Sequence, residues 1–183
     1  LGNSLASLQY GLTFSFDWLG FDVSAFFQGT GNHYWYPAGM NYAFWGPYSY
    51  SYVSFIPRDF YTKMCWSEEH PDAYFPRPRA YSSTGGELSK VNSRYLQNLR
   101  YLRFKNLTVG YTIPESLTKK IRVDHIRVYF SGENLCYWSP LKKVTKYLDP
   151  ESAYTRYSTS ANARDHYAYP WQKTYMFGID ITF

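Results

Sequence analysis

The sequence lacks any apolar run of about 18 residues, and its mean hydropathy is −0.47, so no helix is expected to cross a membrane. A transmembrane β-strand is not excluded, because it needs only about 10 residues of which alternate ones are apolar. Charged residues make up only 18% of the 183 residues and aromatic residues 22%, a composition that excludes an intrinsically disordered chain. Cysteine is also scarce. Cys65 and Cys136 form neither a disulfide-rich scaffold nor a metal-ligand pattern. The sequence leaves open whether the two residues form a disulfide with each other.

Motifs for catalysis and for nucleic-acid binding are also missing. The 19 Lys and Arg residues outnumber the 14 Asp and Glu residues, yet they form no clustered basic face of the kind that nucleic-acid binders use. The four histidines are scattered, and there is no His-Glu-x-x-His, Gly-x-Ser-x-Gly or glycine-rich phosphate loop. Adjacent acids such as Glu68 and Glu69 are interpreted as solvated loop residues. We therefore expect no enzyme activity, no cofactor, no metal and no nucleic-acid partner.

What the sequence does contain is period-2 alternation, which indicates β-strands with two unlike faces. In the first strand the even positions from Tyr10 to Trp18 are apolar or aromatic, and the odd positions are small or polar. Leu19-Gly20 predicts a tight turn into a second strand. A phase change near Lys105-Asn106 predicts a β-bulge in the third strand. The predicted strands are about 9–18, 21–29, 101–113, 125–134 and 174–183.

The connections alternate between short and long. Short ones follow the first and third strands (19–20 and 114–124), and long ones follow the second and fourth (about 30–98 and 135–173). Outer-membrane barrels have short periplasmic turns and long extracellular loops. The fold class is therefore predicted as all-β, an antiparallel transmembrane β-barrel with a periplasmic C-terminus. Bacterial barrels use even strand numbers, so further strands are expected upstream or on another chain.

Two other interpretations stay open. A soluble β-sandwich, such as a carbohydrate-binding β-domain, also alternates apolar and polar residues, although loops of about 70 residues are uncommon in compact domains. A smaller closed barrel with a structural or adhesive role in the outer membrane would also show this alternation.

Four segments resemble the SusC/RagA family of TonB-linked outer-membrane proteins. Tyr101–Pro114 resembles a strand near the C-terminus of that family, and Arg127–Leu135 resembles the next strand. Trp66–Arg77 is similar to a Trp-x-x-x-x-Pro-x-Ala-x-x-Pro-Arg type of segment found upstream, and Tyr175–Phe183 is similar to the terminal strand with its final Phe.

This resemblance implies a barrel of about 22 strands, of which these five would be the last. It implies a plug domain and an N-terminal segment that have no counterpart in this sequence, a SusD-like lipoprotein lid, and energy from a TonB–ExbB–ExbD complex. The implied function is nutrient import across the outer membrane of a Gram-negative bacterium, of oligosaccharides (glycans) for many members and peptides for some.

Candidate functional residues fall into three groups. Tyr and Trp combine a flat apolar face with a polar group, so the aromatic segment after the second strand is a candidate for solute binding, and packing within the loop is the alternative. Its candidates are Trp35, Tyr36, Tyr42, Trp45, Tyr48 and Tyr50. The candidates for lipid contact and barrel assembly are Tyr175, Phe177, Ile179, Ile181 and Phe183. The basic group Lys142, Lys143 and Lys146 either meets lipopolysaccharide phosphates or is simply solvated.

Overall fold

The computed structural model describes residues 2–50, 56–153 and 171–183, which form two units. The strand unit comprises 7–31, 101–138 and 171–183. The described part of the loop unit comprises 2–6, 32–50, 56–100 and 139–153. Among these residues no helix is both long and apolar enough to cross a membrane. The strands are β1 (Gln9–Trp18), β2 (Phe21–Thr30), β3 (Tyr34–Trp35), β4 (Gln97–Asn98), β5 (Tyr101–Thr112), β6 (His125–Trp138) and β7 (Thr174–Thr182). The two α-helices are single turns, α1 (Tyr42–Trp45) and α2 (Glu115–Thr118).

The strand unit is one antiparallel sheet in the order β1-β2-β5-β6-β7. Four of its strands begin and end within one residue of the bounds predicted from sequence. β6 is the exception, because it continues four residues beyond the predicted 134 to Trp138. Those residues stay in the sheet because Cys136 and Trp138 are register partners of Phe104 and Leu102 on β5.

The connection between β1 and β2 is a two-residue hairpin turn. Leu19 and Gly20 have φ angles of 47° and 86°. Positive φ at both central residues gives a turn whose twist matches that of the flanking strands. Gly20 adopts a positive φ without a steric cost because it has no Cβ, whereas Leu19 adopts a positive φ at a steric cost. The connection between β5 and β6 holds α2, which begins directly after Pro114.

The predicted β-bulge is confirmed at Lys105. Asn106 is the register partner of Phe26, and Phe104 is the partner of Phe27, so Lys105 is the extra residue on β5. A single added residue reverses which face the following side chains occupy. Phe104 therefore lies on the same face as Val109. Without the bulge the two side chains would point to opposite faces, because the residues are an odd number of positions apart.

One face of the sheet is apolar across all five strands. Register partners in antiparallel strands point to the same side, so a row of partners shows what each face carries. The central row consists of Phe16, Val23, Val109, Phe130 and Phe177. The opposite face carries mostly small and polar residues, and its central row consists of Ser15, Ser24, Thr108 and Ser131, with the apolar Met176 at its β7 end. Phe26, which interrupts the polar pattern of β2, covers Gly11, since a Cβ there would lie 3.2 Å from the Phe26 ring.

The loop unit has its own hydrophobic core. β3 pairs with β4, and the side chain of Asn41 caps α1 by accepting a hydrogen bond from the Phe44 amide at 3.0 Å. The buried residues come from both long connections of the chain. They include Trp35, Phe44, Trp45, Tyr48, Phe60, Phe75, Tyr95, Leu141 and Leu148.

Candidate functional site

The apolar face of the strand unit is a candidate surface for a function. Its side chains on the edge strands β1 and β7 are strongly exposed, with Phe16 at 60% and Phe177 at 83% of their surface. Phe177 lies against Phe130 with ring centroids 5.1 Å apart. Soluble monomeric proteins rarely expose apolar patches of this extent, and such patches mark contact with a membrane or another protein. The predicted lipid-contact residues Tyr175, Phe177, Ile179, Ile181 and Phe183 are all exposed.

The opposite face of the sheet carries an ion triad. Arg127 on β6 donates to Asp22 on β2 from Nε at 2.9 Å and from Nη2 at 2.6 Å, and its Nη1 lies 3.3 Å from Oδ2 of Asp180 on β7. Gly110 on β5 lies between Asp22 and Arg127, and a Cβ at this position would be only 2.6 Å from Nη2 of Arg127. The glycine therefore leaves the space that the long arginine side chain needs.

In the loop unit, the core is centred on Phe75, which lies within the Trp66–Arg77 segment. Its ring is parallel to that of Tyr95 at 5.9 Å and contacts Phe44 and Tyr48 at 5.5 and 5.7 Å. Aromatic rings at these separations contribute stabilisation beyond their buried area. The segment that resembles a family motif thus supplies the centre of the core.

Three of the six solute-binding candidates lie inside this core. Trp45 and Tyr48 have no exposed surface, and Trp35 has 7%. Trp45 Nε1 donates to the Pro37 carbonyl at 3.1 Å, and the Tyr48 hydroxyl donates to the Pro76 carbonyl. In this arrangement the polar groups of Trp45 and Tyr48 bind the backbone, and packing accounts for all three side chains.

The other three candidates, Tyr36, Tyr42 and Tyr50, are half-buried and keep some accessible surface. The Tyr36 hydroxyl lies 2.8 Å from the Leu88 carbonyl oxygen and accepts from Asn92 Nδ2 at 3.0 Å. Burial raises the pKa of Tyr36 to about 12. A role of Tyr36, Tyr42 and Tyr50 in solute contact stays a prediction.

Two cavities of the loop unit were not expected from the sequence. One, of about 490 Å³, is lined in part by Trp66 and Arg77, and the Arg77 guanidinium lies 5.6 Å from the Trp66 ring centroid. The second, of about 650 Å³, lies between Pro57–Met64 and Lys142–Tyr147 and carries several basic side chains. The lysines of the 142–147 wall form a recognisable group in the sequence. No local sequence signal predicts that this group lies beside the 57–64 segment, which is about 80 residues away in the chain.

The cysteines are both free thiols. Cys65 is buried in the core of the loop unit, and this burial raises the pKa of its thiol. Among the described residues, no cluster of three or more His, Cys, Asp or Glu side chains could hold a metal ion.

Two proteins that are similar to this chain in sequence are both TonB-dependent receptors. The chain is 26% identical over 191 aligned positions to "TonB-dependent receptor P26" of Formosa agariphila, covering 100% of this chain and 18% of the relative. It is 30% identical over 122 positions to "TonB-dependent receptor P3" of the same bacterium, covering 64% of this chain and 11% of the relative. The predicted resemblance to TonB-dependent outer-membrane receptors is confirmed. No protein-family model matches the chain.

Solved structures give the same fold. The structure of the RagAB peptide importer in the "open-open" state matches 98% of this chain with a TM-score of 0.62 and 21% identity. The "closed-closed" state matches 98% with a TM-score of 0.63 and 20% identity. The chain spans less than a fifth of the length of each of these relatives and neighbours. The likeness shows that the chain has the fold of the matching portion of these importer structures.

Proposed function

We propose that the chain is the C-terminal part of a TonB-dependent β-barrel that imports nutrients across the outer membrane. The observation that carries this proposal is the apolar face that continues without interruption over all five strands, from Phe16 to Phe177, opposite a polar face. A barrel wall needs this arrangement, with lipid on one side and an aqueous or plugged lumen on the other. The apolar face then contacts lipid, and the Asp22–Arg127–Asp180 triad faces the lumen.

The rhythm of the connections sets the proposed orientation. The turns 19–20 and 113–124 lie on the periplasmic side, and the loop unit lies at the cell surface. These five strands are the last of about 22 in the receptor chain, and closure of the barrel pairs β7 with the first strand, so the C-terminus is periplasmic. A plug domain and a segment contacted by TonB–ExbB–ExbD belong to the part of such a receptor that this chain does not contain.

The proposed solute is an oligosaccharide captured together with a SusD-like lipoprotein that closes over the loops. Half-exposed tyrosines such as Tyr42 and Tyr50 offer rings that can stack on sugars. A peptide is the second candidate, because the matching solved structures are of a peptide importer.

The test is solute uptake by cells of the source bacterium. Deletion of the gene, and separately of the TonB complex, is expected to abolish uptake of a labelled oligosaccharide, with uptake restored by the complementing gene. Affinity purification of the tagged receptor is expected to recover a lipoprotein partner. Loss of peptide uptake alone would replace the oligosaccharide by a peptide. Recovery of the native protein from the soluble fraction without detergent would contradict the proposal.

A further inference from the structure

The larger cavity of the loop unit has a strongly basic lining. Arg58 and Lys63 stand on one wall, and Lys142, Lys143 and Lys146 stand on the other. The lining contains a single carboxylate, Asp59. The cavity volume of about 650 Å³ lies within the range of small-molecule sites, which is about 300–1,000 Å³.

Both walls are anchored in the hydrophobic core. On one wall, Phe60 is 1% exposed and lies between the basic residues Arg58 and Lys63. On the other, Leu141 is 1% exposed and its carbonyl accepts the Thr145 amide at 2.9 Å. Burial at these positions holds the backbone from which the charged side chains extend. The cavity is therefore formed before a ligand arrives, which lowers the entropic cost of binding.

The basic residues of the cavity outnumber its one acidic lining residue, Asp59. Asp59 lies 3.6 Å from Lys63, and both side chains are more than half exposed, so this ion pair is weak. Arg58, Lys143 and Lys146 line the same space. Their mutual repulsion is relieved when an anion enters.

The lining also favours one class of anion. Lys ammonium groups act as separate point charges, without the planar fork by which Arg binds a single carboxylate or phosphate in two places. They suit a ligand that carries several anionic groups spaced along its length. Tyr147, which is 47% exposed, adds an aromatic ring to the lining, and such rings stack on the apolar faces of sugars.

We infer that this cavity binds an anionic oligosaccharide, one that carries sulfate or carboxylate groups, and so selects the solute of the receptor. The inference rests on the proposed import function, because it names the chemical class of the imported solute. Lipopolysaccharide could present the same anionic chemistry from the membrane, and an acidic peptide could present it on a different backbone.

The experiment measures binding to the full-length receptor in nanodiscs of phospholipid without lipopolysaccharide. The probes are chondroitin sulfate hexasaccharide and oligogalacturonate, each compared with its chemically desulfated or methyl-esterified counterpart by calorimetry. At least one charged probe is expected to bind more tightly than its neutral counterpart. Its affinity should fall as salt rises from about 0.05 to 0.5 M, because salt screens exposed charges.

The double variant Lys143→Gln with Lys146→Gln is expected to lower the affinity for the charged probe about fivefold, the sum of two partly exposed charge contacts. The control is Lys119→Gln with Lys120→Gln, which removes the same charge from the exposed turn of the strand unit and is expected to leave the affinity unchanged.

Equal affinity for charged and neutral sugars would overturn the inference, as would an equal loss in the two double variants. Binding of a hexaglutamate peptide in preference to both charged sugars would also overturn it, and so would a dependence on added lipopolysaccharide alone. None of these outcomes would contradict the proposed import function. Failure of the proposed function is a different result: the intact receptor would then transport no solute in a TonB-dependent manner, whatever its affinity for anions.

Discussion

Arg127 donates two hydrogen bonds to the carboxylate of Asp22, at 2.9 and 2.6 Å, although their strands are not neighbours in the sheet. The guanidinium passes over Gly110 of the intervening strand. Asp22 and Arg127 are 32% and 24% exposed, so water screens this ion pair only in part. The contact ties β2 to β6 in addition to the backbone hydrogen bonds that join each of them to β5.

Replacement of Gly110 by Ala is expected to destabilise the folded receptor by about 1–3 kcal/mol, because the new Cβ would displace the Arg127 side chain. The measurement is the urea midpoint of the receptor, followed by the heat-modifiable migration of the folded form on gels. The control is Gly85→Ala in the loop unit, where an added Cβ meets no atom within 4 Å. Equal midpoints for the two variants would contradict the proposed role of Gly110.

The two carboxylates of the triad are expected to differ in their coupling to Arg127. A double-mutant cycle of Asp22→Asn with Arg127→Gln should give an interaction energy of about 1–3 kcal/mol, as expected for a charged, doubly hydrogen-bonded pair. The same cycle with Asp180→Asn should give about 0–1 kcal/mol, because Asp180 is 55% exposed and makes one contact at 3.3 Å. The reverse order would show that the triad is arranged differently in the membrane.

Phe177 and Met176 are adjacent residues on opposite faces of β7, and they test which face contacts lipid. Phe177→Arg is expected to cost about 2–4 kcal/mol at the bilayer midplane, whereas Met176→Arg, on the face that we propose lines the lumen, is expected to cost much less. The measurement is the folded fraction after insertion into phospholipid vesicles. Normal insertion of the Phe177 variant, or equal damage from both, would contradict the assignment of faces.

The aromatic candidates of the loop unit are expected to separate into two classes. Trp45→Ala removes a side chain with no exposed surface and should destabilise the loop unit by about 3–5 kcal/mol, seen as faster proteolysis of the loops in whole cells. Tyr50→Ala removes a half-buried ring and should leave proteolysis nearly unchanged while it weakens solute binding. Unchanged solute affinity of a stable Tyr50 variant would remove that residue from the candidates.

High pH is expected to destabilise the loop unit. Burial raises the pKa of Tyr36, Tyr48, Tyr74 and Tyr95, so each neutral hydroxyl favours the folded state. This contribution is complete below the unfolded pKa of about 10 and is lost as pH rises above it toward the folded values. Tryptophan fluorescence during unfolding between about pH 8 and 11 measures the effect. Tyr36→Phe should reduce the slope, and a flat profile up to pH 11 in the unmodified protein would contradict the prediction.

The strands could be predicted from the sequence because each one carries its own signal. The alternation from Tyr10 to Trp18 gives both the extent of β1 and its faces, and the phase change at Lys105 gives the bulge. The end of β6 could not be predicted from the sequence, because Asn134-Leu135-Cys136 breaks the alternation. In the structure, pairing with β5 extends the strand beyond these residues.

The loop unit could be predicted much less. Aromatic composition between His33 and Tyr61 indicates a surface for packing or for binding, but composition does not tell the two apart. Burial separates Trp45 from Tyr50, and burial depends on residues as distant as Phe75 and Tyr95. The basic cavity could not be predicted for the same reason, because Lys63 and Lys143 line one space only after the core beneath them has formed.

The shared core of the two long connections also bears on the order of folding. Trp35 and Leu148 belong to one buried cluster although about 110 residues separate them, whereas β1 and β2 close over a two-residue turn. Chain segments that are distant in sequence meet slowly, because the entropy of closing the intervening chain is lost before the contact forms. We therefore expect the hairpin to form early. The loop unit should be among the last parts to become resistant to protease after the newly made protein reaches the outer membrane.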